Sequence, residues 1–364
     1  MLRIGSIALS LPAVQAALSG YSDLPMRRVA RAPGAPFCLH EVVLDELVLR
    51  RGRSSREVLD LPADDHPVGG QLLGSVPETF GAAARAMVDA GYDVVDLNFG
   101  CPVAKVLGRG RGGWLLAEPV RALEIVERVL QAVAGDVPVT VKMRRGLDDS
   151  AAAERDFFTI LDGSFARGVA AVTVHGRTVR QKYAGASRAG FLARVKRHVG
   201  DRTVLGSGDL FGPHAVARLL RDTGVDGVTV ARGCIGNPFV FAQVRELLAG
   251  RTPMFPTVAE QRAALELHRD AAVAWYGEAR AAGALRAHRI KAARLHPEPL
   301  LVRDAFVRAR TLAESDAVLA RCYASGAAWP APRPWTEADE ALLREGAATT
   351  CADGASDPNL ESVA

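Results

Sequence analysis

The segment 96–102, DLNFGCP, holds the densest chemical signal in this 364-residue chain, and a glycine-rich stretch follows it at residues 108–113. The thiol of Cys101 can serve as a nucleophile or as a proton donor. Cys101 lies three residues beyond Asn98, which ends a predicted strand, in a loop that glycines leave flexible. A cysteine packed under a turn is the ordinary alternative, but its position just past a strand end favours a catalytic role.

The glycine-rich stretch and the cysteine spacing give weaker indications of function. Residues 108–113 formally match the dinucleotide fingerprint G-x-G-x-x-G, but they do not directly join a strand to a helix, so we reject a Rossmann interpretation. The five cysteines are widely spaced and form no Cys-x-x-Cys pair. This spacing argues against a disulfide framework and against a zinc site, and we expect no bound metal.

The elements that must position these residues follow a strand–helix alternation. Amphipathic helices are predicted at residues 77–90, 119–134 and 213–223. Short apolar or β-branched runs predict eight strands, at residues 12–17, 36–42, 67–73, 93–98, 137–143, 170–175, 203–207 and 227–231. Eight parallel strands with intervening helices predict an α/β fold, a (β/α)8 TIM barrel, whose active site lies at the carboxyl ends of the strands.

The pattern changes after about residue 245. We expect a barrel domain over 1–245, an all-helical domain over 255–325, with helices at 258–282 and 299–322, and an acidic, largely disordered tail over 327–364. A short helix near 336–345 is possible within that tail. Residues 280–310 hold eight Arg or Lys against two acids, which fits a phosphate-binding surface or an ordinary solvated helix face.

Net charge and the distribution of apolar residues limit the partners and the cellular location that we expect. The formal net charge of +4 is too small to indicate a nucleic-acid partner. The first 18 residues look like a signal peptide at first glance. However, Arg3 is the single basic residue before the apolar stretch, and polar residues interrupt that stretch. A first barrel strand therefore explains this segment better. With no apolar run of membrane-spanning length, we expect a cytoplasmic protein without a membrane partner.

The motif Leu-Asn-x-Gly-Cys-Pro with its trailing glycine-rich loop resembles the active-site segment of the tRNA-dihydrouridine synthases, FMN-dependent enzymes of the bacterial type. The resemblance continues in order along the chain, and each further motif falls at the end of a predicted strand. These motifs are Gln71–Gly74, Val141–Arg144, Val174–Thr178, Ser207–Asp209, Ala231–Gly233 and Gly236–Pro238.

The resemblance implies FMN as cofactor, NADPH as reductant and tRNA as partner. The sequence does not indicate an oligomeric state, and we take a monomer as the default. Cys101 would give a proton to uracil C5 while the flavin N5 gives a hydride to C6, forming 5,6-dihydrouridine. The residues expected to bind the cofactor are Ala17, Leu18, Ser19, Gln71, Lys142, His175, Ser207, Gly208, Asp209, Ala231 and Arg232. The residues expected to bind the substrate are Asn98, Arg177, Tyr183, Arg286, Arg289 and Lys291.

The chain departs from the family pattern at three strand ends. Residues 16–20, AALSG, stand where the family has Ala-Pro-Met-x-Gly, Ser207 replaces an asparagine, and Ala231 replaces a glycine. Three alternatives remain open: a barrel flavoenzyme acting on a small molecule, a non-catalytic RNA-binding relative, and an aldolase-type barrel that uses Lys142 as a Schiff base.

Overall fold

A closed barrel of eight parallel strands forms the centre of the molecule. The structure is a computed structural model that describes residues 1–50, 52–324 and 328–352, the last seven of these by backbone alone. Each strand pairs with the next along the chain, and the last pairs with the first. The barrel strands are Ala13–Gln15 (β3), Cys38–Leu44 (β4), Val68–Leu73 (β5), Val94–Phe99 (β6), Val139–Arg144 (β7), Ala171–His175 (β8), Thr203–Ser207 (β9) and Gly227–Val230 (β10). The eight predicted strands and the barrel are confirmed.

An antiparallel hairpin, Leu2–Ile4 (β1) and Ile7–Leu9 (β2), precedes the barrel. Leu2, Ile4 and Leu9 pack on the apolar side chains at the amino ends of the barrel strands. Gly227 makes room for this contact, since a Cβ there would lie 2.7 Å from Leu2 Cδ2. The hairpin, which the sequence did not predict, therefore closes the end of the barrel opposite the catalytic loops.

Helices surround the barrel and pack their apolar faces on it. These helices are Leu24–Arg31 (α1), Asp45–Leu49 (α2), Arg53–Leu59 (α3), Pro77–Asp89 (α4), Ala104–Leu107 (α5), Pro119–Val133 (α6), Ala151–Ala166 (α7), Ala189–Val199 (α8), Pro213–Thr223 (α9) and Val240–Leu248 (α10). Proline occupies the first turn of α4, α6 and α9, where its missing N–H costs nothing. The three helices predicted from the sequence in this part of the chain are confirmed.

The region after residue 255 is helical, as expected, but its helices are shorter than predicted. The predicted helix 258–282 breaks at Gly277, whose φ of 78° ends one helix and starts the next. The predicted helix 299–322 breaks before Thr311, whose side chain caps a new helix through a capping box with Glu314. The observed helices are Val258–Tyr276 (α11), Glu278–Ala292 (α12), Pro299–Arg308 (α13) and Leu312–Cys322 (α14).

The end of the described chain folds back onto the barrel. A helix spans Glu337–Ala352 (α15), and Trp335 just before it stacks on Phe255 with ring centroids 5.3 Å apart. Glu340 accepts hydrogen bonds from the backbone N–H groups of His214 (2.7 Å) and Ala215 (2.9 Å), in the first turn of α9. The expectation of a largely disordered tail is therefore wrong for this part, while residues 353–364 lie outside the described residues.

Among the described residues, no helix is both long enough and apolar enough to cross a membrane.

Candidate active site at the carboxyl ends of the strands

The side chains that face the inside of the barrel change from apolar to polar along the strands. Near the amino ends they are Val14, Leu39, Val94, Ala171 and Leu205, packed in one cluster. Because side chains alternate along a strand, the next inward positions carry different residues. Toward the carboxyl ends the inner side chains are Gln71, Asp96, Asn98, Thr140, Lys142, Thr173, His175 and Ser207. A buried polar layer of this kind marks the ligand-binding end of the barrel.

A chain of hydrogen bonds runs through this layer to Cys101. The Asp96 carboxylate accepts from Thr140 Oγ1 and from Gln71 Nε2, both at 2.6 Å. Gln71 Oε1 accepts from Asn98 Nδ2 (2.7 Å), and Asn98 Oδ1 accepts from the backbone N–H of Cys101 (3.0 Å). A connected buried network fixes each of its members, so the position of Cys101 is tied to the interior of the barrel.

The surroundings of Cys101 keep its thiol protonated. Burial raises the pKa of this thiol above its ordinary value, against the opposing effects of a hydrogen bond from the Val103 backbone and of the charges on Lys142 and Arg144. A thiol with a raised pKa holds its proton at neutral pH and can deliver it to a substrate. The geometry thus suits Cys101 to the role of a general acid.

Lys142 lies inside the barrel beside Asn98 of the neighbouring strand. Burial, and then the charge of Arg144, lower the pKa of Lys142, while Asp96 opposes that shift. Its ammonium group makes no hydrogen bond or ion pair with any residue in the described part of the chain. An ammonium group at the mouth of the barrel without a protein partner suits an anionic or hydrogen-bond-accepting ligand.

His175 is a neutral hydrogen-bond donor in this site. Burial, and then the neighbouring Arg144 and Lys142, lower its pKa to about 2. Its Nδ1 lies 3.1 Å from the backbone N–H of Arg177 and accepts from it. This contact leaves the proton on Nε2, which can donate to a ligand at the barrel mouth.

The turns after β9 and β10 suit a phosphate group. Gly208 has a φ of 118° and Asp209 a φ of 57°, so the backbone turns sharply just after the end of β9. Two hydroxyl groups near these ends, Ser19 Oγ and Thr229 Oγ1, are buried and have no partner among the described residues. Hydroxyl groups left in this state fit a ligand that accepts hydrogen bonds. Ala17, Leu18 and Ala231 border the same mouth from the ends of β3 and β10.

Arg177 joins the loops that follow β8 and β9. Its guanidinium group is 3% exposed and donates to both carboxylate oxygens of Asp209 at 2.7 Å, and also to the carbonyl of Gly185. Asp209 is therefore neutralised and does not repel a phosphate. The Nη1 of Arg177 is buried without a partner in the described chain, so a ligand contact by this atom stays a prediction.

The rim of the mouth carries an exposed aromatic ring between two cations. Tyr183 is 45% exposed, with the guanidinium groups of Arg232 and Arg144 at 4.5 Å and 5.6 Å from its ring centroid. Arg144 also donates to the carbonyl groups of Gly100, Thr178 and Lys182, which ties the Cys101 loop to the Tyr183 loop. Such a ring is placed to stack on a planar ligand that enters the barrel.

Two of the predicted substrate contacts in the helical region are engaged within the protein. Arg289 is 0% exposed and pairs with Asp316 at 3.1 Å and with Ser315, so the prediction that it contacts phosphates is wrong. Arg286 is half-buried and donates to the carbonyl groups of Val307 and Ala309, which gives it a structural role. Lys291 is half-buried, with its Nζ 5.4 Å from the ring centroid of Tyr21, at the junction with the barrel.

Two residues of the site were assigned no role from the sequence, Asp96 and Arg144. Each lies two positions from a predicted site residue on the same strand, Asp96 from Asn98 and Arg144 from Lys142. The two-residue period of strands places them on the same inner face, so the alternation could have identified both.

These features define a barrel enzyme whose chemistry takes place among polar groups at the carboxyl ends of the strands. The model of the family "Dihydrouridine synthase (Dus)" matches residues 14–327. A probable tRNA-dihydrouridine synthase of Mycobacterium tuberculosis is 33% identical over 332 residues, which cover 88% of this chain and 84% of that protein. The tRNA-dihydrouridine synthase B of Xanthomonas campestris is 33% identical over 325 residues, covering 88% of this chain and 95% of that protein. The chain belongs to the dihydrouridine synthase family.

A solved structure supports the fold. Histamine dehydrogenase from Rhizobium sp. 4-9 aligns with a TM-score of 0.53 at 14% identity, covering 74% of this chain. This chain spans 50% of the length of that protein, so the likeness concerns the barrel architecture alone.

Proposed function

We propose that this protein reduces a uridine in tRNA to 5,6-dihydrouridine, with FMN as cofactor and NADPH as reductant. The observation that carries the proposal is the Cys101 thiol, which the network that starts at Asp96 positions at the mouth of the barrel and which burial keeps protonated. Membership of the dihydrouridine synthase family supports the same substrate.

The polar layer fits FMN. The ammonium group of Lys142 and the Nε2–H of His175 would donate to the flavin ring, and Gln71 would border it. The turn at residues 207–209 and the residues Ala231 and Arg232 would hold the phosphate, helped by the unpartnered hydroxyl groups of Ser19 and Thr229. When bound, FMN supplies a hydride from N5 to uracil C6.

The side chains of the protein would supply the proton and position the uracil base. Cys101 would give its proton to uracil C5 on the side of the ring that faces the loop, and the thiolate would then regain a proton from water. Asn98 offers a donor and an acceptor to the uracil edge. Tyr183 would stack on a base that has left the RNA stack, a step that costs about 3 kcal/mol.

The phosphates of the RNA would be bound at the rim near Cys101. Lys105 and Arg109 are exposed on the loop that carries Cys101, and neither pairs with a residue in the described part of the chain. Free cations beside the mouth can neutralise phosphates without giving up an internal ion pair. The helical region after residue 255 would orient the RNA as a recognition module.

Charge reversal tests this surface. Changing Lys105 and Arg109 to Glu should weaken tRNA binding and lower the slope of log affinity against log salt by about one for each phosphate that the protein no longer binds. Arg128→Glu on α6, where Arg128 is 49% exposed, is the matched control and should leave the slope unchanged. Equal slopes for all three proteins would place the RNA elsewhere.

The direct test is mass spectrometry of tRNA nucleosides from cells with and without this gene, followed by reaction of the purified protein with unmodified tRNA, FMN and NADPH. Loss of dihydrouridine in the deletion strain and its formation in the reaction would establish the activity. A purified protein that binds FMN but leaves tRNA unchanged would favour a small-molecule reductase, and a protein that binds tRNA without flavin would favour the non-catalytic alternative.

A further inference from the structure

Three side chains with metal-binding groups meet where the barrel contacts the helical region. They are Asp23, which caps the first turn of α1, His268 on α11 and His288 on α12. One ligand atom from each lies within 4.8 Å of the other two. Two imidazoles and a carboxylate form a common ligand set for zinc and similar divalent ions.

His268 is the residue that most needs a partner. Its side chain is 5% exposed, and neither ring nitrogen makes a hydrogen bond with a residue in the described part of the chain. Together with His288 it lines a cavity of about 40 Å³ between the barrel and the helical region. A buried imidazole directed into a small cavity is unfavourable unless a ligand or water completes its hydrogen bonds.

The other two side chains carry the supporting contacts that metal ligands show. His288 donates from Nε2 to the carbonyl of Tyr21 (3.2 Å), which leaves Nδ1 free to act as a ligand. Asp23 accepts from the Tyr276 hydroxyl (2.8 Å) and from the backbone N–H of Met26 (3.0 Å). Ligating histidines and carboxylates are usually oriented by such second contacts.

The electrostatic surroundings permit a cation. Two arginines near these ligands are already paired with carboxylates, Arg27 with Asp65 at 2.6 Å and Arg289 with Asp316 at 3.1 Å, and Lys291 is a further cation near His288.

We propose that Asp23, His268 and His288 bind one divalent transition-metal ion, of which zinc is the best match, and that this ion fastens helix α1 of the barrel to helices α11 and α12. The ion takes no part in the chemistry at Cys101. Its effect is to fix the helical region on the barrel, because the ligands come from both.

The experiment uses the full-length protein, dialysed against a chelator and titrated with ZnCl2. We expect one zinc per chain by inductively coupled plasma mass spectrometry, and a rise of several degrees in the unfolding midpoint when zinc is in excess. Binding of Co²⁺ should give the visible absorption bands of a site with mixed nitrogen and oxygen ligands. Absence of stoichiometric zinc, or zinc without a change in the midpoint, would overturn the proposal.

Two variants separate loss of the site from loss of the fold. Asp23→Asn keeps a capping side chain and an acceptor for Tyr276, and His268→Gln keeps a polar group in the cavity. Each should weaken zinc affinity at least about tenfold and abolish the zinc-dependent shift. The control is His198→Gln, at a surface histidine that pairs with Asp162 and lies outside the cluster, and it should bind zinc normally. Unchanged zinc binding in a folded Asp23→Asn protein would refute the assignment.

Discussion

Asp96 and Lys142 are two groups of opposite charge inside the barrel, and they bear on Cys101 in different ways. Asp96 acts through hydrogen bonds, since it orients Gln71, which holds Asn98, which holds the backbone of Cys101. Lys142 acts through its charge, which opposes the rise in the pKa of the Cys101 thiol. The layer therefore fixes the position of the thiol, while burial keeps the thiol protonated against the charge of Lys142.

Replacing Cys101 with Ala should leave FMN binding and flavin reduction by NADPH unchanged, because the thiol holds neither. Formation of dihydrouridine should fall about 100- to 10,000-fold, the usual contribution of a general acid. Single-turnover measurement with the reduced protein and tRNA separates the two steps. A variant with normal product formation would remove Cys101 from the proposed chemistry.

The pH dependence follows from the raised pKa of Cys101. The protonated thiol is the active form, so product formation should stay level through neutral pH and decline only above the ordinary thiol value of about 8.5. The measurement is the single-turnover rate across that range, with flavin reduction followed separately as the control. A decline that begins below pH 7 would show that a different group supplies the proton.

Much of this site could be predicted at the residue scale. Cys101 was predicted from its position just past a strand end, and Lys142 and His175 from the family resemblance. The structure brings all three to the barrel mouth. Arg289 could not be interpreted correctly, because a sequence does not show whether an arginine faces solvent or an internal acid such as Asp316. Its helix α12 is basic along its length, so nothing in the pattern distinguishes the one arginine that is buried.

At the scale of elements, helix α15 is held by a contact that spans 126 positions of the chain, between Glu340 and the first turn of α9. A carboxylate at a helix amino end satisfies free N–H groups and interacts favourably with the helix dipole. Gly212 allows this close approach, since a Cβ there would lie 2.5 Å from Glu340 Cγ. The contact supports the loop between Asp209 and α9, next to the proposed phosphate site.

Glu340→Ala should lower the free energy of unfolding by about 1 to 2 kcal/mol, because two N–H groups of α9 lose their acceptor. Chemical denaturation followed by circular dichroism measures the change. Glu337→Ala is the control, since its carboxylate is 65% exposed and pairs with the exposed Arg218. The control should change stability by no more than about 0.5 kcal/mol. Equal effects of the two substitutions would mean that the Glu340 cap contributes nothing.

Strands were easier to predict than helix ends. Each barrel strand is a short apolar run with turn residues on both sides, so the pattern is local. The break at Gly277 was missed because the helical pattern continues on both sides of it, with α11 before and α12 after. Helix α15 extends past the predicted 336–345 to Ala352, and its contact with the first turn of α9 through Glu340 joins positions far apart in the sequence.

At the scale of the whole molecule, the barrel has two different ends. The polar end binds ligands, and the other is closed by the hairpin β1–β2, whose apolar side chains fill the interior below Val14 and Leu39. The hairpin was missed because its strands have three residues each, too few for a recognisable alternation. It completes the core without touching the catalytic residues.

Leu2→Ala should therefore destabilise the protein without altering its chemistry. We expect a loss of about 2 to 5 kcal/mol, as for other buried leucines, while activity per folded molecule stays unchanged at low temperature. Leu300→Ala is the control, because Leu300 is 74% exposed and should change stability by about 0.5 kcal/mol at most. A smaller loss for Leu2 than for Leu300 would show that the hairpin does not complete the core.

The hairpin also decides how the protein can be attached to a solid support. Met1 is 97% exposed and immediately precedes β1, at the closed end of the barrel. A biotin or peptide tether joined there would hold the molecule with its open mouth directed away from the support. An immobilised form made in this way should accept large RNA substrates as readily as the protein in solution, whereas random coupling through surface amines would also fix Lys105 beside the mouth and obstruct entry.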